Sequence, residues 1–428
     1  MNLGVLGLAL LGLSPLGLSP FELAAAETPA STPASTSVVE HTIEVALDPN
    51  AGSLSATDRL SLPPDAPSTL FVQLHRALKP EIIAGDARLE PVARRGHLRQ
   101  YRLEIGQART GQARVIQLRY QGRIRHDLDA VREGMGRERQ QSLGTISPEG
   151  VFLSGYSGWY PRVLETLETL SLRVSLPADW LAVSQGEGPS IDNDDERVRV
   201  GWRETAPQDG LYLIAAPFEF YRESTEVAEA QAFLRRPDAA LAARYLEATA
   251  TYLARYSQLI GDYPYAKFAL VENFWESGYG MPSFTLLGPR VLRLPFILHS
   301  SYPHEILHNW WGNGVYVDAA QGNWSEGLTA YLADHLNQAL DGKGDDYRRD
   351  QLKAYADYVR EHQDLPLSAF QGRHGAASQA IGYGKALMFF HMLRIQLGDR
   401  TFVRSLQRFY RDNRFSEAGW DAIEAAFA

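Results

Sequence analysis

Residues Pro303 to Tyr331 read PHEILHNWWGNGVYVDAAQGNWSEGLTAY. The pentad His304-Glu305-Ile306-Leu307-His308 has the pattern H-E-x-x-H. On a helix this spacing stacks both imidazoles on one face, one turn apart, so two nitrogen ligands converge on a single spot. Glu305 follows the first histidine and lies beside that spot without being a ligand, where it can take a proton from water activated there. Composition yields only about 0.02 chance matches to such a pentad per chain, so the motif carries weight.

A third ligand follows downstream. With seventeen residues intervening after His308 comes Glu326, in Asn323-Trp324-Ser325-Glu326-Gly327. It opens an apolar periodic run, Leu328, Tyr331, Leu332, His335 and Leu336, that predicts a second helix. Asp318 competes poorly because it falls in the loop before that helix. Two His and one Glu leave a fourth tetrahedral position for water, the catalytic form of a zinc site, so one Zn2+ is expected. The chain has no Cys, and no thiolate site competes.

HEILHNWWGN followed by NWSEGLTAY resembles the gluzincin metallopeptidases of the aminopeptidase N and leukotriene hydrolase family. That family's signature is HExxH, eighteen residues, then Glu within N-E-G-F/L-A/T-x-Y. Two departures stand out: the spacer here is one residue shorter, and Ser325 replaces the usual Asn before the Glu. The resemblance implies a peptide substrate, zinc on His304, His308 and Glu326, and Glu305 as general base. It further implies a role for Tyr383 in Ile381-Gly382-Tyr383-Gly384-Lys385, similar to the family's P-Y-E-K-G segment, whose Tyr hydroxyl faces the scissile carbonyl and stabilises its developing charge.

Substrate contacts are implied at two further places. Ser147 to Pro161 falls where the family's N-terminal domain dips toward the active site, and Glu149 matches the Glu or Gln that contacts the substrate amine. Lys267 to Leu287 reads as two strands, Phe268 to Val271 and Phe284 to Leu287, around a tight glycine turn at Gly278-Tyr279-Gly280-Met281. An edge strand beside a zinc site holds a peptide by main-chain bonding, which makes Gly280 and Met281 substrate-binding candidates. The family carries G-x-M-E-N here, its Glu gripping the free amine, whereas Pro282 and Ser283 follow Met281 in this chain. A buried ammonium needs a carboxylate partner. Glu149 supplies one, or Glu272 or Glu276, both of which read as solvated loop residues. Cleavage inside a peptide or of oligopeptides, the epoxide chemistry of one branch of the family, and a non-catalytic peptide-binding module are the alternatives to aminopeptidase action.

The remainder of the chain supports a globular architecture. Its 428 residues are 45% hydrophobic with a net charge of −9, enough for two or three domains with ample core. The acidic balance, without Lys/Arg runs, argues against nucleic acid or an anionic membrane surface as partner. Residues 1–26 read as a signal peptide: an apolar Leu3–Leu13 core, Pro15 and Pro20 breaking any long membrane helix, and Ala24-Ala25-Ala26 for cleavage, although no Lys or Arg precedes the core. Export to the periplasm or beyond is expected, followed by a Pro/Ser/Thr linker over 27–37. From 38 to 220, short alternating runs at regular spacing predict an all-β saddle or sandwich, interrupted by a charged insertion from His126 to Gln141. From 221 to 428 the pattern is helical, beginning with Pro237 to Ile260 and with the zinc helix placed at about 302–313. The expected fold is therefore α+β, an N-terminal β domain followed by a mainly helical, thermolysin-like catalytic domain.

Overall fold

The computed structural model describes residues 37–106, 112–128, 142–194 and 196–428. The segment 1–26 expected as a leader, nearly all of the expected linker, and the charged insertion beyond Leu128 lie outside the described residues.

The N-terminal region is built from three antiparallel-rich sheets. The largest has seven strands in the spatial order Glu187–Asn193, Arg197–Gln208, Leu167–Pro177, Val38–Asp48, Ser53–Leu62, Arg114–Arg123 and Glu81–Ala84. Alternation drives it. Along Val38–Asp48 the inward positions are Val39, His41, Ile43, Val45 and Leu47, and the residues between them face outward or are partly covered, as a period of two requires. His41 is the exception in an apolar row, and it is buried against Asp58 of the neighbouring strand at 2.7 Å. Two four-stranded sheets complete the region. One runs Arg162–Val163, Thr69–His75, Leu98–Ile105, Ala87–Arg95, and the other Leu181–Val183, Leu213–Ala216, Gly150–Leu153, Thr145–Ser147.

After Phe220 the sequence predicts helices with two strands among them, Phe268 to Val271 and Phe284 to Leu287; both strands are present, and the structure adds Glu219–Ser224, Glu229–Leu234 and Gly278–Met281 beside them. A five-stranded mixed sheet comes first, in the order Glu219–Ser224, Glu229–Leu234, Lys267–Glu272, Phe284–Leu287, Gly278–Met281. Its central strands are covered on both faces, so they show no polar alternation to read. Phe233, Ala269, Val271, Phe284 and Leu286 join the core of the N-terminal sheets. Ala230, Ala232, Leu234, Phe268, Leu270 and Leu287 join the core under the helices. The sheet is thus the partition between two hydrophobic cores, and its last strand is an edge.

Helix α1, Ala239–Ile260, provides the long crossover between the parallel strands Glu229–Leu234 and Lys267–Glu272, which a parallel pair needs. Asp238 caps it by accepting from the Leu241 amide at 3.0 Å. The helices that follow are α2 (Ser301–Leu307), α3 (Ser325–Thr329), α4 (Leu336–Leu340), α5 (Gly344–Tyr358), α6 (Ala376–Gln379), α7 (Ala386–Leu397), α8 (Asp399–Asn413) and α9 (Trp420–Phe427). Two π-helical turns, Ala330–His335 and Ala380–Lys385, join α3 to α4 and α6 to α7. Among the described residues, no helix is long and apolar enough to cross a membrane.

Candidate active site

Helix α2 is shorter than the sequence reading placed it. It ends at Leu307, and His308 is its C-cap, still in helical geometry with its amide bonded to the His304 carbonyl at 3.2 Å. Beyond it the chain turns, with the amides of the fully buried Trp310 and Trp311 both donating to the Leu307 carbonyl. Gly312, at φ 109°, then reverses the chain so that its amide reaches the Val315 carbonyl. The four-residue spacing of the histidines survives the early stop. Their rings lie 4.8 Å apart, nearly perpendicular.

Helix α3 brings Glu326 to the same place. Its Oε2 is 3.4 Å from Nε2 of His304 and 3.5 Å from Nε2 of His308, and the three ligand atoms lie within 4.8 Å of one another. Bond lengths of about 2.1 Å and a tetrahedral angle put ligand atoms about 3.4 Å apart, the spacing of Glu326 Oε2 from each imidazole, so this donor set suits a zinc ion. Charge points the same way. Burial would push the Glu326 carboxyl up, but His308 and His304 hold it well below the usual carboxylate range. Burial opposes charge on His304, yet Asp334 and then Glu326 overcome it and hold its pKa at about 10.

Each imidazole is aimed by a partner on its far nitrogen. Nδ1 of His304 donates to Asp334, and Nδ1 of His308 donates to the Trp311 carbonyl at 3.0 Å. Both Nε2 atoms thereby face Glu326, and a metal taking the place of the proton there would find each ring's tautomer and orientation already fixed. Sequence reasoning identified neither partner. Eight residues along a regular α-helix overshoot two turns, and the wider π turn over Ala330–His335 absorbs the excess, returning Asp334 to the Glu326 face.

Glu305 is buried, with its carboxylate against the edge strand. A Cβ on Gly280 would come within 2.9 Å of Glu305 Oε2 and 3.1 Å of His308 Cβ, so glycine is what allows the strand to lie this close. Gly278–Met281, expected as a tight turn, is itself the edge strand, paired antiparallel with Phe284–Leu287. The turn falls one step later, at Pro282-Ser283, where Ser283 adopts φ 65°. Ser283 is held on three sides: its amide donates to Asn309 Oδ1 (2.7 Å), its carbonyl accepts from the buried Lys267 ammonium (3.0 Å), and its hydroxyl accepts from the Gly186 amide (3.1 Å).

Tyr383 lies on the second π turn, its ring stacked on His304 with centroids 6.2 Å apart. The close approach depends on Gly327, next to Glu326. A Cβ there would sit 2.2 Å from Cβ of Ala386, so α3 and the start of α7 touch almost backbone to backbone. Glu305, His308, Glu326, Tyr383, Gly280 and Met281 all line one cleft of about 900 Å3.

The expected amine contacts are not brought together with them. Glu149 is exposed in the turn between Thr145–Ser147 and Gly150–Leu153, outside the cleft lining, with its carbonyl accepting from Arg235 at 2.8 Å. Glu272, read as a solvated loop residue, is instead the buried end of a strand, bonded to Arg293 (2.7 Å) and the Arg235 amide (2.8 Å). Glu276 accepts from the amide and side chain of Arg290.

This arrangement of a β region, a mixed partition sheet and a helical region carrying a His-His-Glu centre is the fold of the M1 zinc metallopeptidases. An M1 zinc metallopeptidase from Deinococcus radiodurans superposes with a TM-score of 0.70 at 18% identity, over 91% of this chain and 89% of that one. A two-domain M1 zinc metallopeptidase bound to L-tryptophan gives 0.73 at 18% identity, over 92% and 91%. A variant of the Deinococcus radiodurans protein bound to a Tyr-Ser-Ala substrate gives 0.67 at 16% identity, over 91% and 89%. By sequence, 195 residues are 22% identical to the alanine/arginine aminopeptidase of Saccharomyces cerevisiae, a match spanning 39% of this chain and 22% of that protein. No protein-family model matches the chain.

Proposed function

We propose that this protein is a zinc-dependent peptidase of the aminopeptidase N and leukotriene hydrolase family. The observation that carries the reading is the convergence of His304, His308 and Glu326, their ligand atoms within 4.8 Å of one another, with Glu305 beside them and an edge strand forming the cleft wall. A zinc ion bound there supplies Lewis acidity that polarises a carbonyl and makes water acidic near neutral pH. Glu305 takes the proton of the attacking water and hands it to the departing amine. The Tyr383 hydroxyl donates to the oxygen on which negative charge develops. Gly278–Met281 aligns the peptide by main-chain bonds along the sheet edge.

Hydrolysis within peptides, or of short oligopeptides, is the second reading. It is favoured by Pro282-Ser283 standing where the family's amine-gripping Glu is expected, and by Glu149 lying outside the cleft lining. The N-terminal leader adds an exported location to the proposal, in the periplasm or outside the cell. Hydrolysis of free-amine and amine-blocked peptides, with and without chelator, tests the reading. Chelator-sensitive cleavage of only free-amine substrates indicates an aminopeptidase, and cleavage of blocked ones an endopeptidase. Failure to cleave either, in zinc-loaded protein, rejects both.

A further inference from the structure

Three carboxylate residues line the cleft: Asp209, Glu305 and Glu326. Glu326 faces both imidazoles and Glu305 lies beside them, so both belong to the metal and its water. Asp209 has no such task. It sits in the connection between Arg197–Gln208 and Leu213–Ala216, on the wall contributed by the N-terminal sheets.

Side chains bond at least five of the polar backbone atoms of that connection. Arg162 donates to the Asp209 carbonyl (2.8 Å) and Gln185 to the Gly210 carbonyl (2.8 Å). The Leu211 amide donates to the Tyr160 hydroxyl (3.2 Å), and the Trp159 indole donates to the Leu211 carbonyl (3.1 Å). The Tyr212 amide donates to Gln185 Oε1 (3.0 Å). Trp159, Tyr160 and Gln185 are fully buried, and Tyr160 is itself fixed by donating to the buried Glu168. The residue this rigid connection presents at the cleft is Asp209, exposed as a whole and part of the cleft lining. Among the described residues no side chain makes a hydrogen bond or ion pair to its carboxylate. The neighbouring guanidinium of Arg162 is spent on the backbone carbonyl instead. Supporting groups locked by packing and buried hydrogen bonds are what a preorganised binding group requires. Burial among the surrounding protein raises the carboxyl's pKa to about 6, and the nearby Arg162 guanidinium only partly offsets it.

We propose that Asp209 is the specificity-determining carboxylate of this cleft, pairing with a cationic nitrogen of the substrate: the N-terminal ammonium of a peptide, or the end of a Lys or Arg side chain. This rests on the peptidase reading and deepens it. A hydrogen-bonded charge pair of this kind gives a preference of about 10- to 100-fold over a neutral isostere.

Binding to zinc-loaded Glu305→Gln protein, with and without Asp209→Asn, separates the possibilities. The probes are tetra-alanine, N-acetyl-tetra-alanine and N-acetyl-Ala-Lys-Ala-Ala, titrated calorimetrically, and wild-type turnover of each is measured in parallel. Asp209→Glu, which keeps the charge, serves as a rescue. Support is tighter binding of tetra-alanine than of its blocked form, erased by Asp209→Asn and kept by Asp209→Glu, which assigns the ammonium. The same pattern confined to the Lys peptide assigns the basic side chain. Affinities unchanged by Asp209→Asn while wild type hydrolyses the peptides overturn the role of Asp209 and leave the peptidase reading standing. No binding and no hydrolysis of any probe overturns both.

Discussion

Both carboxylate oxygens of Asp334 lie 3.2 Å from Nδ1 of His304. The contact holds the imidazole with Nε2 turned toward Glu326, and its loss frees the ring to rotate and to change tautomer. Asp334→Ala is expected to weaken zinc binding about 10- to 100-fold, the usual consequence of removing such a partner. Competition against a chromogenic chelator checks this. Unchanged affinity would mean that packing alone orients His304.

Tyr383 stacks on the same imidazole and lines the cleft, and the proposed mechanism assigns its hydroxyl to the carbonyl under attack. Tyr383→Phe keeps the ring and removes the donor. Expected is a fall in kcat of about 10²- to 10³-fold with zinc content and KM little changed. A loss expressed mainly in KM would assign Tyr383 to substrate binding.

Gly327 is where the two π-linked helices meet, with no room for a methyl group against Ala386. In Gly327→Ala the backbones must separate, and the displaced residue next in line is Glu326, the proposed ligand. The substitution is expected to cost about 1–3 kcal/mol, as overpacking does, and to lower zinc affinity together with stability. Denaturant midpoints and zinc content measured on one preparation test the coupling. A stability loss with zinc binding intact would show that α3 shifts without moving Glu326.

The buried pair of His41 and Asp58 makes stability sensitive to alkali. Burial opposes charge on His41, but Asp58 and Glu168 overcome it and hold its pKa at about 10, against 6.5 as the ordinary value. The folded state therefore binds this proton more tightly than the unfolded one. Its contribution is complete below about pH 6.5 and fades as pH rises toward 10. Above that, Asp58 is left as a buried carboxylate without a partner, a loss of about 3 kcal/mol or more. The denaturation midpoint of wild type is expected to fall between pH 7 and 10, and that of His41→Gln combined with Asp58→Asn to fall less. Parallel profiles would contradict the pairing.

What could be read from the sequence, and what could not, follows from the range of each signal. The His304–Glu305–His308 pattern is local, and a single helical turn expresses it even though α2 stops at Leu307. Glu326 was legible because the Asn323 to Gly327 segment opens an apolar run. Asp334 was hidden because a π turn breaks the 3.6-residue count on which such readings rely. Gly278–Met281 looked like a turn because it contains two glycines, but glycine serves there to admit Glu305 against the strand. Glu229–Leu234 carried no alternation because both its faces are covered. Asp209, far from Glu305 in sequence, enters the cleft only through the fold of the N-terminal sheets.

The central claim is that one zinc ion on His304, His308 and Glu326 works with Glu305 to hydrolyse peptide bonds. Metal content and peptide turnover, measured together for wild type, Glu305→Gln and Glu326→Ala, test it most directly. The account predicts one zinc per chain in wild type and in Glu305→Gln, weakened zinc binding in Glu326→Ala, and hydrolysis in wild type alone. Hydrolysis surviving in Glu305→Gln, or full zinc retention without the Glu326 carboxylate, would contradict it.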